Sequence, residues 1–262
     1  MALSIQELCD DLQAETADLM SLTAPFEDAQ WNTPTPADGW TVKDQLSHLA
    51  YYDEMATIAV ADPDKFAVLL EETLASPAGD PSTERYRRMP GAEVRNALQR
   101  VRAQLIGTVL PLDPSKRIAW YGPAMSLASF ITARIMETWA HGQDVADTFG
   151  IRRRPTGRLR HVAFIGARAL PNSYLSHGLA VPDEPVRVEL DGIDGGPWVF
   201  GPVGAVNVVR GPALDFCLVV TQRRHPADTA LSTEGPVAAE WLTIAQAFAG
   251  PPGAGREPGQ FG

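Results

Sequence analysis

Met136-Glu137-Thr138-Trp139-Ala140-His141 decides how the first half of this chain is read, together with Leu46-Ser47-His48-Leu49 about ninety residues upstream. Residues four apart are neighbours on a helix face, so Glu137 and His141 project together if their segment is helical. A facing helix can then supply His48 and complete a set of two imidazoles and one carboxylate. Such a set suits Zn²⁺ or another divalent metal, and three protein ligands leave one coordination position open. The same residues admit a plainer reading: a Glu137–His141 helix pair worth roughly a few tenths of a kcal/mol, beside an unrelated hydrogen-bonded His48. Spacing alone leaves both open.

The surrounding sequence supplies helices to carry these residues. Over residues 4–29, Ile5, Leu8, Leu12, Leu19 and Leu22 recur at helical spacing behind Ser4, an N-cap type. The turn-rich stretch 31–40 interrupts them, and Thr41 with Asp44 three residues on predicts a capping box opening the next helix. That helix carries Val42, Leu46, Leu49 and Ala56 on one face and ends near Asp62-Pro63. Further helices are expected over 63–74, 92–110 and 124–149, the last closed by Gly150. Phase places His48 with Tyr52, Met55 and Ala59, and Glu137 and His141 with Phe130, Arg134, Asp144 and Thr148. Each candidate ligand therefore borders the core. Long helices with short loops suit an antiparallel bundle, which builds sites from facing helices.

Composition bounds the function classes. The chain has 262 residues and a net charge of −10, with 22 acidic against 11 basic residues up to position 150 and 10 against 11 beyond it. An acidic balance argues against nucleic-acid binding, which needs a basic face for phosphates. No apolar run is long enough to span a membrane, and the N-terminus lacks a secretory pattern, so a cytoplasmic protein is expected. Cys9 and Cys217 lie far apart in mostly apolar surroundings and read as buried free thiols. The charge break falls at Gly150-Ile151-Arg152-Arg153-Arg154-Pro155, read as a solvated linker between domains at 1–150 and 151–249.

Trp40-Thr41-Val42-Lys43-Asp44-Gln45-Leu46-Ser47-His48-Leu49 resembles the signature of the DinB-like metal-binding four-helix proteins. Glu137-Thr138-Trp139-Ala140-His141-Gly142-Gln143-Asp144-Val145 is similar to an element of that superfamily's mycothiol-dependent maleylpyruvate isomerase branch. Trp120-Tyr121-Gly122-Pro123-Ala124-Met125-Ser126 resembles the same branch's lead-in to that helix. The resemblance covers the first 150 residues in order. It implies that His48, Glu137 and His141 ligate the metal, that mycothiol serves as co-substrate, and that Asp144 orients a ligand ring.

The second half reads as α+β. A helix over 157–176 precedes extended segments at 186–190, 198–200 and 205–209. A helix over 213–221, a short strand at 229–232 and a final helix over 238–248 follow. Residues 250–262 form a Gly/Pro-rich tail expected to be flexible. This order is similar to the small C-terminal domain of the isomerase branch. After the apolar helix comes Thr221-Gln222-Arg223-Arg224-His225, where the resembled family's usual glycine-arginine is Arg223-Arg224. Arg223 and Arg224 are both candidates for catalytic recognition of a carboxylate, a task arginine performs bidentately. Helix-end arginines that simply meet carbonyls and the helix dipole are the plainer reading.

No nucleophile elbow, dinucleotide-binding glycine motif or Walker-type lysine is present. The expected protein combines an N-terminal antiparallel four-helix bundle with a small α+β domain, as a monomer or homodimer. Its expected ion is Zn²⁺, with Ni²⁺ and Fe²⁺ also compatible. It would act with a thiol on a small acidic or electrophilic substrate as isomerase or transferase. The rival class is a non-catalytic metal-containing module binding an apolar ligand or a protein partner.

Overall fold

The computed structural model describes residues 3–75 and 81–261, and the chain divides into two compact units, Met1–Arg153 and Arg154–Gly262. Helix α1 (Ile5–Thr23) begins where Ser4 Oγ accepts the Glu7 amide at 3.2 Å and Glu7 Oε2 accepts the Ser4 amide at 2.7 Å. This reciprocal capping satisfies amides that a helix start otherwise leaves bare. Ile5, Leu8, Leu12 and Leu19 are its buried stripe. The helix stops well short of residue 29, because Pro25 has no amide to continue the ladder, and a single turn, α2 (Asp28–Trp31), follows.

Helix α3 (Val42–Ala61) starts at the expected capping box, with Asp44 Oδ2 accepting the Thr41 amide at 2.9 Å and the Thr41 hydroxyl at 2.7 Å. After α4 (Pro63–Ala75) comes a short helix the periodicity does not show, α5 (Pro81–Tyr86), then α6 (Gly91–Val109). Gly91 is required there: a Cβ would lie 2.0 Å from the Trp31 ring. A two-stranded antiparallel ribbon, β1 (Arg117–Ile118) with β2 (Met125–Ser126), leads into α7 (Leu127–Thr148). Ser126 caps α7 by accepting the Ser129 amide at 3.2 Å, so the helix starts three residues later than the sequence suggests. Gly150, at φ +64°, turns the chain out of it.

The bundle consists of α1, α3, α6 and α7, with α1 and α3 each packed against both α6 and α7. Its centre holds an ionic cluster as well as apolar side chains. Asp53, on α3, accepts from Arg102 Nε at 2.5 Å and Arg134 Nε at 3.0 Å, and all three are buried. Arg102 also donates to Thr16 Oγ1 on α1 and Thr138 Oγ1 on α7, so one guanidinium ties all four long helices together. Buried charges persist only when paired and hydrogen-bonded in this way. Arg153, expected to be solvated, instead meets the buried Glu15 carboxylate at 2.5 Å and donates to the Trp139 carbonyl. Arg152 and Arg154 on either side are exposed.

The second unit opens with α8 (Leu159–Arg168) and α9 (Leu170–Ser176), two helices where the sequence suggests one, broken at Ala169 ahead of Pro171. A four-stranded sheet has the order β4 (Pro197–Phe200), β3 (Val186–Asp191), β5 (Asn207–Pro212), β6 (Ser232–Glu234). Strands β3 and β5 are parallel, and both outer pairs are antiparallel. Helix α10 (Ala213–Val220) packs on α8, and α11 (Pro236–Ile244) packs on α9 and β5. Phe216 and Trp241 meet edge to face between α10 and α11. No helix among the described residues is long and apolar enough to cross a membrane.

Candidate metal centre

Helices α3 and α7 bring His48, Glu137 and His141 together. One potential ligand atom from each lies within 4.8 Å of the others. His141 Nε2 is 3.3 Å and His48 Nε2 is 3.8 Å from the same oxygen, Glu137 Oε2. The side chains are 10%, 16% and 21% exposed for His141, His48 and Glu137. They border the core, as the helical phase requires.

The network behind His141 places a proton on Nδ1 of its ring. Thr35 Oγ1 lies 3.0 Å from the Trp40 carbonyl, which can only accept, so the hydroxyl proton points there. Thr35 Oγ1 therefore accepts from Gln45 Nε2 at 2.8 Å, which turns Gln45 Oε1 toward His141 Nδ1 at 2.5 Å. An amide oxygen only accepts, so Nδ1 carries a proton, and Nε2 holds either a second proton or a lone pair. Nε2 faces a carboxylate oxygen at 3.3 Å, where a proton or a metal ion fits between the two. His48 is held similarly, its Nδ1 lying 3.1 Å from Ser82 Oγ on α5. Ser47 anchors that helix through its hydroxyl to the Ser82 carbonyl.

The donor set fits a divalent metal. Bonds of about 2.0–2.1 Å at tetrahedral angles put neighbouring donor atoms roughly 3.3–3.4 Å apart. The Glu137–His141 separation of 3.3 Å matches this, and His48 at 3.8 Å stands slightly wider. Burial raises the Glu137 carboxyl pKa, but hydrogen bonds and charge from His141 and His48 outweigh it and hold the group well below the usual carboxylate range. Aromatic rings wall the cluster. Trp40 stacks on His141 at 5.8 Å and lies 5.1 Å from His48, while Tyr52 lies 4.5 Å from His48. Tyr121 and Trp120 continue from Tyr52 at 5.4 and 6.1 Å.

Sequence reasoning missed Gln45 and Ser82. Gln45 has a readable signal, since it stands one turn before His48 on the same face and is fully buried. Ser82 has none, because its helix is a single short segment. The partner at His141 Nδ1 is Gln45; Asp144, expected from the resemblance to orient a ligand ring, is fully buried one turn further along α7.

Arg223 and Arg224 follow α10 in the second unit. Gln222 is the only non-glycine residue with positive φ among the described residues, at +60°. Arg223 Nη1 donates to the Thr221 carbonyl, while Arg224 lies over the Phe261 ring at 4.5 Å.

Fold and cluster together define a helical-bundle protein with a candidate metal centre, followed by a small α+β unit. Residues 12–146 match the mycothiol maleylpyruvate isomerase N-terminal domain. Two uncharacterized proteins from two strains of Mycobacterium tuberculosis are 45% identical over 249 residues, covering 94% of this chain and 96% of their own length. The crystal structure of the mycothiol-dependent maleylpyruvate isomerase superposes with a TM-score of 0.59 at 17% identity, covering 89% of this chain and 95% of that one. A histidine-to-alanine mutant of the same isomerase gives 0.58 at 16% identity with the same coverage. At such identities the likeness concerns the fold. The chain belongs to the mycothiol maleylpyruvate isomerase N-terminal domain family.

Proposed function

We propose that His48, Glu137 and His141 hold a divalent metal ion, with Zn²⁺ the first candidate, and that the chain uses mycothiol to isomerise, or transfer thiol to, a small acidic or electrophilic substrate. The observation that carries this reading is the convergence of His141 Nε2 and His48 Nε2 on one Glu137 oxygen, with the His141 ring held by Gln45 through Nδ1. When bound, the ion would supply Lewis acidity, favouring a thiolate over a thiol at neutral pH.

The chain's own residues do the rest. Gln45 and Ser82 orient the two rings, so that Nε2 of each turns toward Glu137. Glu137 brings a single negative charge, which leaves a dication only half neutralised and the centre attractive to an anion. Trp40 and Tyr52 cover the rings with apolar surface, which strengthens every electrostatic interaction beneath them. Of the two arginines after α10, Arg224 lies over the Phe261 ring, which leaves Arg223 the candidate for bidentate recognition of a carboxylate.

The test uses Co²⁺-substituted protein and mycothiol. A thiolate-to-metal absorption band appearing on titration supports the enzyme, and its loss in His141→Ala ties it to the centre. A spectrum unmoved by thiol contradicts the proposal and leaves a metal-containing binding module.

A further inference from the structure

Of the three arginines in Arg152-Arg153-Arg154, the outer two are exposed, and the proposed chemistry uses none of them. Arg153 is only 15% exposed, and the carboxylate it meets, Glu15 on α1, only 2%. Gly150, at φ +64°, reverses the chain at the end of α7, and the Ile151 amide donates to the Ala146 carbonyl at 2.9 Å. Arg153 is thereby carried back along α7, where Nη1 donates to the Trp139 carbonyl at 2.8 Å and Nη2 to Glu15 Oε1 at 2.5 Å. We propose that Arg153, given the metal ion proposed above, is a positioning residue of that centre, setting the rotation of the α7 turn from which Glu137 and His141 reach the ion.

The contacts fall on that turn. Trp139 stands two residues from each of Glu137 and His141, which puts it on the reverse side of the helix. Arg153 meets it there twice, through its carbonyl and through its ring, whose centre is 5.9 Å from the guanidinium carbon. The carbonyl has two lone pairs, so it can accept from Arg153 and still serve the helix ladder. Gly142, next to His141, makes the room: a Cβ there would lie 3.3–3.5 Å from three guanidinium atoms. Glycine is unfavourable inside a helix relative to alanine, so its place here suits the arginine rather than the helix. On another side of the same turn Arg102 Nη2 donates to Thr138 Oγ1 at 3.1 Å. Two guanidiniums thus hold residues interleaved with the two ligands of α7.

Stability alone does not call for these charges. Apolar side chains of similar volume often fill such a space at equal or lower cost, because a buried ion pair must first leave water. An apolar contact is non-directional and lets one helix slide or turn against another. A guanidinium forked between a carboxylate on α1 and a carbonyl on α7 fixes both, since each of its N–H groups points one way. Metal–ligand distances tolerate only about 0.2 Å. A centre that draws two of its three ligands from α7 therefore needs that helix at one rotation.

Co²⁺ titration of the full chain, read beside urea denaturation of the metal-free protein, separates positioning from stability. Replacing both partners, in Glu15→Leu with Arg153→Met, should leave the urea midpoint near that of wild type. Co²⁺ affinity should nevertheless fall about tenfold, the lower end of what a lost outer partner costs a metal site, and the visible Co²⁺ bands should shift. If the double variant does not fold, Arg153→Lys decides. Its single ammonium keeps a charge opposite Glu15 but lacks the fork that also reaches the Trp139 carbonyl, so the same loss is expected. Wild-type affinity and spectrum in a folded variant overturn the positioning role and leave the metal centre standing. Wild-type protein that binds no Co²⁺ overturns the centre, and the role of Arg153 with it.

Discussion

Replacing Gln45 by leucine probes the centre without touching a proposed ligand. Gln45 is fully buried, and its oxygen lies 2.5 Å from His141 Nδ1. Leucine of similar volume removes the acceptor and frees the ring to hold its proton on Nε2. There it would donate to Glu137, 3.3 Å away, and compete with the ion for both groups. Loss of such a ring partner typically costs about 10–100-fold in metal affinity, or about 1.4–2.8 kcal/mol. The Nδ1 atom, buried without its partner, adds about 1–3 kcal/mol of lost stability, visible as a lower urea midpoint. Gln45→Glu keeps an acceptor at the same place and should keep the affinity. The assay is competition for Zn²⁺ and Co²⁺ against a chromogenic chelator, with circular dichroism to confirm the fold. Affinity of Gln45→Leu within about twofold of wild type would refute the tautomer argument.

Asp53→Ala should destabilise the bundle by about 3–5 kcal/mol in urea denaturation, because Arg102 and Arg134 are left buried without their shared carboxylate; a loss under about 1 kcal/mol would show the cluster to be dispensable. Burial pushes the Cys9 thiol up to about 11 and raises Cys217 further still, so native protein at neutral pH should resist iodoacetamide and react only once unfolded. Rapid native alkylation would count against the packing. In metal-free protein Glu137 titrates below its ordinary 4.5, so its stabilising contribution is present above that value and lost as pH falls through the depressed one. The wild-type advantage over Glu137→Gln in urea midpoint should therefore shrink on acidification from about pH 6 to about pH 3, and a constant difference would contradict the assigned charge state.

The sequence carries long-range information about the centre because each ligand sits on a strongly periodic helix. Thr41 and Asp44 announce the start of α3, which sets the phase of His48; the stripe through Arg134, Glu137 and His141 sets that of α7. What surrounds them is less legible. Helix α5 has no periodicity of its own and exists through its packing on α3, so Ser82 could not be foreseen. The β1–β2 ribbon has two residues in each strand, too few for alternation to register. Arg102 looks like a solvent-facing helix residue until its partners from other helices are known. In the second unit strand positions are roughly readable, but the parallel pairing of β3 with β5 is not, since pairing direction leaves no mark on either strand alone. The left-handed conformation of Gln222 was equally hidden, because glycine, its usual signal, is absent there.

The central claim is that His48, Glu137 and His141 hold a metal ion. Elemental analysis of purified wild type, His48→Ala, Glu137→Gln and His141→Ala after equilibration with Zn²⁺ and desalting tests it most directly. The account predicts about one equivalent per wild-type chain and a large loss in every variant. Equal metal content in wild type and all three variants, each correctly folded, would contradict it.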